Sequence, residues 1–196
     1  MTQVAVTAAA MVLLTASANA QVGMTAIERQ RLLSHLDMTR AWLVDEVSGL
    51  SDAQLTFKPS PDAWSIAQVL DHLVMVGPIY WNDLQQALRT PPGDLIPRDT
   101  DADILWYGID RTHREQAIAT EIPKGKVRNL KTLLGEHRRH HDRLRSYVGT
   151  TKDDLRRHLV PRQGSDAYQW VLLISTHEQR HILQIREIKT APGFPD

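Results

Sequence analysis

The chain has 196 residues, enough for one domain with a sizeable core. Lys plus Arg and Asp plus Glu both number 23, giving a formal net charge of zero. That balance speaks against a nucleic-acid binder, which carries a basic excess, and no Lys/Arg run marks an anionic membrane surface. The absence of cysteine excludes disulfides, Cys-ligated zinc or iron–sulfur sites and a thiol nucleophile, so any metal must be held by His, Asp or Glu.

Taken in chain order, the first charged side chain is Glu28, and Val4 to Ala20 is rich in Ala, Val and Leu. Ala18-Asn19-Ala20 before Gln21 is an A-x-A cleavage pattern, so residues 1–20 read as a secretory signal peptide and the protein as exported. The alternative is a cytoplasmic protein starting at Met24. The stretch is short and broken by Thr, Ser and Asn, unlike a retained transmembrane helix. A single domain is expected over residues 25–195.

The remainder reads as helix after helix. Thr25-Ala26-Ile27-Glu28 is a capping box opening a helix from Ala26 to Val47, with Ile27, Leu32, Leu36, Leu43 and Val47 as its buried stripe. Ser51-Asp52-Ala53-Gln54 predicts a short helical turn, and Pro59-Ser60-Pro61 a break. Ser65-Ile66-Ala67-Gln68 caps a helix from Ile66 to Leu88, where Ile66, Val69, Leu70, Leu73 and Val76 follow the i, i+3, i+4, i+7 rule and Pro78 is a candidate kink. A loop from Thr90 to Thr100 leads to a third helix over residues 101–120, ended by Pro123-Lys124-Gly125-Lys126. Asn129 caps a fourth over residues 130–148. A short helix after Thr151 stops near Pro161, and the last long helix spans Ala167 to Lys189. No stretch shows the period-2 alternation of a strand. The expected fold is all-α, a four-helix bundle with one or two short extra helices, in preference to a less regular helical domain.

His177-Glu178-Gln179-Arg180-His181 carries the chemistry. Residues four apart lie on one helix face, and these two continue a row of Trp170, Leu173, Ile174, Gln184 and Ile188. Two imidazoles in an inward row are costly to bury without partners, which a shared metal supplies. The pentapeptide also fits H-E-x-x-H, the zinc-protease motif with Glu as general base. Gln184 and Glu187 stand where a metzincin needs Gly and His, and no strand is apparent to hold a peptide. Glu187 is a conceivable ligand on another face of the helix. The best third ligand is His72, three residues after Val69 and four before Val76 on an amphipathic helix, whereas Asp71 points elsewhere. His137 and His141 form a rival pair, but Arg138, Arg139, Arg143 and Arg145 around them read as a solvated face. His141 could still approach the site rim. His35, His113 and His158 read as surface residues. Tyr80, Trp81, Trp106 and Tyr107 are candidates for a pocket mouth, with core packing the competing role.

Pro61-x-x-Trp64-Ser65 with His72 seven residues on, His177-x-x-x-His181-Ile182-x-Gln184-Ile185 and the closing Pro192-Gly193-Phe194-Pro195 together resemble the DinB/YfiT-like superfamily of metal-binding four-helix bundles. The resemblance implies a triad of His72, His177 and His181, with Glu178 turned away from the metal. It also implies thiol-dependent transferase or isomerase activity with bacillithiol, mycothiol or glutathione in the members that are enzymes. Export sits awkwardly with such an intracellular thiol. One divalent transition-metal ion is the expected cofactor, zinc or nickel foremost; three imidazoles suit Zn, Ni, Co, Cu or Fe(II), and affinity order alone does not select among them. A three-ligand ion with an exchangeable position activates water or presents a thiolate. The expectation is therefore a metal-dependent enzyme of thiol-transferase or hydrolase type acting on a small molecule, a thiol among the candidates. The competing readings are a metal-binding or dimerising bundle without catalysis and, last, the protease. A homodimer is carried as an expectation.

Overall fold

The computed structural model describes residues 23–94, 96–123 and 129–196; the expected leader and residues 124–126 lie outside them. Four long helices make the frame: α1 (Ala26–Val47), α3 (Ile66–Leu88), α5 (Leu130–Thr150) and α6 (Ala167–Lys189). Two short ones, α2 (Asp52–Thr56) and α4 (Asp101–Ile109), complete the α-helices among the described residues. α6 packs beside α1 and α3, and so does α5, so the order around the bundle is α1–α6–α3–α5. α4 lies along the outer flank of α6.

Helix starts follow local chemistry. Thr25, Ser51, Ser65, Thr100 and Asp166 each accept from the backbone N–H three residues on, and the residue there bonds back to the cap's own N–H. Each such cap contributes about 0.5–2 kcal/mol. α3 runs through Pro78 without interruption. α6 is buried nearly all round, from Ala167 to Ile188, as expected of a helix covered by α1, α3 and α4.

The core falls into two apolar clusters. One holds Leu32, Leu36, Tyr80, Leu84, Leu144, Trp170 and Leu173. The other holds Leu43, Val47, Leu70, Leu73, Leu133, Ile182 and Ile185. Between them along α1, α5 and α6 lie buried polar residues: Thr39, His141, Thr176, His177 and Glu178. The bundle is thus apolar at both ends and polar at mid-height.

Four expectations need correction. The third helix stops at Ile109 instead of reaching residue 120, because the chain turns at Asp110, whose carboxylate accepts from the N–H and hydroxyl of Thr112 at 2.9 and 2.6 Å. Residues 110–118 then run without helix to a single 3₁₀ turn, Ala119–Glu121. The helix expected after Thr151 is likewise one 3₁₀ turn, Leu155–Arg157. Strands do occur: β1 (Leu159–Val160) and β2 (Ser165–Asp166) pair as a tiny antiparallel hairpin in the register Leu159 with Asp166. Gly164 closes its turn at φ +67°, a conformation that glycine adopts without cost. Ile27 is exposed, and α1 instead buries Leu32, Leu36, Thr39, Leu43 and Val47.

Candidate metal centre

α3 brings His72, and α6 brings His177 and His181, to one point. His72 Nε2 lies 3.3 Å from His177 Nε2, and His181 Nε2 lies 3.1 Å from the same atom. Among the described residues this is the one group of three or more His, Asp or Glu side chains able to hold a metal ion. His72 and His177 are buried and His181 is half-buried.

The outer nitrogens fix how the inner ones face. His72 Nδ1 is 2.7 Å from the backbone carbonyl of Glu121, which can only accept. His72 must therefore carry its proton on Nδ1 and present a bare Nε2 lone pair. His181 does the same through Gln184 Oε1 at 2.8 Å. His177 faces both lone pairs with one nitrogen, and a neutral imidazole can donate to only one of them. A cation at the meeting point satisfies all three. The donor set and its supporting carbonyl and amide are those of a His-ligated divalent ion.

Burial is the first cause of depressed proton affinity at all three rings. It holds His177 well below the ordinary histidine range, with His181 and His72 adding to the effect. It brings His181 down to about 3, again with His72 contributing. It lowers His72 as well, opposed in part by the Glu121 carbonyl. Neutral imidazoles are the metal-binding form.

The triad forms the floor of a pocket of about 1250 Å³. Trp64, immediately before the α3 cap, lies parallel to the His181 ring at 6.4 Å between centroids and tilts over His72 at 5.2 Å. Tyr80 stands edge-on to His177 at 5.5 Å. Tyr107 also lines the cavity, and its hydroxyl is pushed up to about 12 by burial. Of the four aromatics expected at the mouth, Tyr80 and Tyr107 are there. Trp106 is exposed, and Trp81 packs edge-on against Tyr147 at 5.7 Å. Trp64 and Trp170 line the pocket without having been singled out for it; Trp170 shares the α6 row with the histidines, which was its signal.

The other candidates sit elsewhere. Glu178 is buried, but its Oε2 accepts from Thr39 on α1 at 3.1 Å and its Oε1 lies 3.1 Å from His137 Nε2 on α5. The carboxylate thus faces away from His72. Glu187 is held by Arg111 through two contacts of 2.9 Å, and that guanidinium keeps its carboxyl below the usual range. The reading of His137 and His141 as a solvated face is corrected. His141 is buried, with Nε2 3.2 Å from the Leu36 carbonyl, so it turns toward α1 and not the site rim. Two of the presumed surface histidines are also drawn in: His35 is half-buried with Nδ1 2.8 Å from Ser175 Oγ, and His158 is buried. His113 is exposed.

An α-helical bundle with three imidazoles converging at the floor of a pocket defines a class of protein suited to metal binding. The chain belongs to the DinB superfamily, whose sequence model matches residues 35–185. It is 27% identical over 148 residues to the uncharacterized protein YuaE of Bacillus subtilis (strain 168), covering 74% of this chain and 89% of that one. Its fold is similar to that of YfiT from Bacillus subtilis at a TM-score of 0.61 and 18% identity, covering 88% of this chain and 92% of the other. YfiT is described as a probable metal-dependent hydrolase with an unusual four-helix bundle topology.

Proposed function

We propose that this protein is a metal-dependent enzyme of hydrolase or thiol-transferase type, in which His72, His177 and His181 hold one divalent transition-metal ion, zinc or nickel foremost. One observation carries the reading: three imidazole Nε2 atoms meet at the floor of an open pocket, with two of their tautomers set from behind. The description of YfiT supports the hydrolytic branch. An ion so held supplies Lewis-acid activation of a water or a thiol.

The chain's own residues do the rest. Glu121 O and Gln184 Oε1 fix His72 and His181, so ligand binding requires little reorganisation. Trp64 and Tyr80 wall two sides of the triad and limit the water around it. The Tyr80 hydroxyl, raised by burial, stays protonated at neutral pH and can donate a hydrogen bond to a substrate oxygen. Arg162, whose guanidinium lies 5.5 Å from the Tyr80 ring, adds positive charge to the same wall. Glu178 is unavailable as a general base because Thr39 and His137 engage it on the other side of α6.

The test is metal content by element in purified wild type and His72→Ala, followed by assays of metal-loaded and chelator-stripped protein. Substrates are small esters and amides, and electrophiles offered with low-molecular-weight thiols. Metal-dependent turnover of either set is the expected result. A full equivalent of tightly held metal in His72→Ala overturns the site, and metal-replete protein inert toward both sets overturns the enzymatic reading.

A further inference from the structure

Behind the triad, the segment 110–123 crosses the pocket as a strap with little hydrogen-bonded structure of its own. Charged side chains on and around the strap hold it. The Arg180 guanidinium donates to the carbonyls of Tyr107, Asp110 and His113. Arg111, on the strap, grips Glu187 of α6. At the far end Arg162, from the hairpin turn, donates to the carboxylate of Glu121 and lies 3.5 Å from Asp83 on α3. Glu121 is only 6% exposed, so its carboxylate is a buried charge whose partner is Arg162. The backbone carbonyl of that same residue receives His72 Nδ1–H at 2.7 Å.

We propose that Glu121 and Arg162 are a positioning pair for the metal site: their ion pair pins the strap so that the Glu121 carbonyl holds His72 in the tautomer that presents Nε2 to the ion. Neither side chain belongs to the cluster of three imidazoles. The pair acts through one backbone oxygen, which any residue at position 121 would possess, so the side chain's part is to place that oxygen. Removing outer partners of metal-bound histidines lowers affinity about 10–100-fold.

The inference rests on the triad reading, and the experiment separates the two. Zinc affinity is measured by chelator competition for wild type, Arg162→Met and Glu121→Gln. The two ring nitrogens of His72 are followed by ¹⁵N NMR in the metal-free proteins. Expected are a loss of about 10–100-fold in both variants, a single Nδ1–H tautomer of His72 in wild type, and a tautomer mixture in the variants. Arg162→Lys, which keeps the charge, recovers part of the affinity. Unchanged affinity overturns the pair. So does reduced affinity with the His72 tautomer unchanged, because a general loosening of the fold would give that result. A wild-type chain that binds no zinc overturns the triad itself, while one that binds zinc normally alongside neutral variants overturns only the positioning role.

Discussion

Metal-induced stabilisation gives the sharpest test of the triad. A ligand that binds only the folded state adds RT ln(1 + [L]/Kd), about 2.7 kcal/mol at a hundredfold excess over Kd. For a chain of 196 residues each kcal/mol moves the midpoint by about 2–4 °C, so saturating zinc should raise it by about 5–11 °C. The nine histidines of the chain can also bind zinc when unfolded, which favours the lower half of that range. In His72→Ala the ligands from α6 remain, one turn apart, and the ligand tying α3 to α6 is gone. The two-ligand site should give less than half the wild-type shift when each protein is compared with its own metal-free form. Differential scanning calorimetry with and without zinc measures this directly. An equal shift in both proteins would mean that the ion sits elsewhere, and the convergence of the three rings would have no bearing on metal binding.

Acid should weaken the metal-free fold in a defined window. His72, His177 and His181 all have lowered folded-state values, so below about pH 6.5 the unfolded chain binds protons that the folded chain refuses. Stability therefore falls as pH drops below about 6.5, by up to about 1.4 kcal/mol per pH unit for a ring that stays neutral in the fold, as His181 does down to about 3; urea midpoints across that range read it, and a flat profile contradicts it. Glu178→Gln should leave zinc affinity unchanged in the chelator titration, whereas a zinc-protease base would reveal itself through a peptidase activity lost in this variant. Gly108→Ala should cost about 1–3 kcal/mol in thermal unfolding, since a Cβ there would meet Thr176 Cβ at 2.9 Å and press α4 away from the α6 turn that bears His177. Arg156→Met should cost about 3 kcal/mol without changing zinc affinity, because it strips the cation shared by Glu28, Asp101 and the buried Asp166, the α6 cap.

What was legible in the sequence was what short range decides. Caps and apolar periodicity placed the limits of α1, α3 and α6 at Ala26–Val47, Ile66–Leu88 and Ala167–Lys189, as observed. The convergence of His72, His177 and His181 was legible for the same reason, since the i, i+4 spacing on α6 and the amphipathic phase of α3 turn all three rings inward. The helix expected over residues 101–120 stops at Ile109, where the local Asp110–Thr112 turn is held from long range by Arg180, reaching from α6 to the carbonyls of Tyr107, Asp110 and His113.

The misread α5 histidines show where a local signal was present but outweighed. Leu133, His137, His141, Leu144 and Val148 are spaced by four, four, three and four, a helical stripe as regular as that of α6. The arginines between them drew the reading toward solvent, yet Arg138 and Arg139 occupy the opposite face and are exposed. Period should have outweighed composition there. The Glu121 carbonyl is a different case. It is a backbone atom, brought to His72 from 49 residues away by a strap that has no periodicity to read. Which rings converge can be read from spacing because the helix fixes where each ring goes. The group that sets the ring's tautomer comes from another part of the chain, so only the folded structure could reveal it.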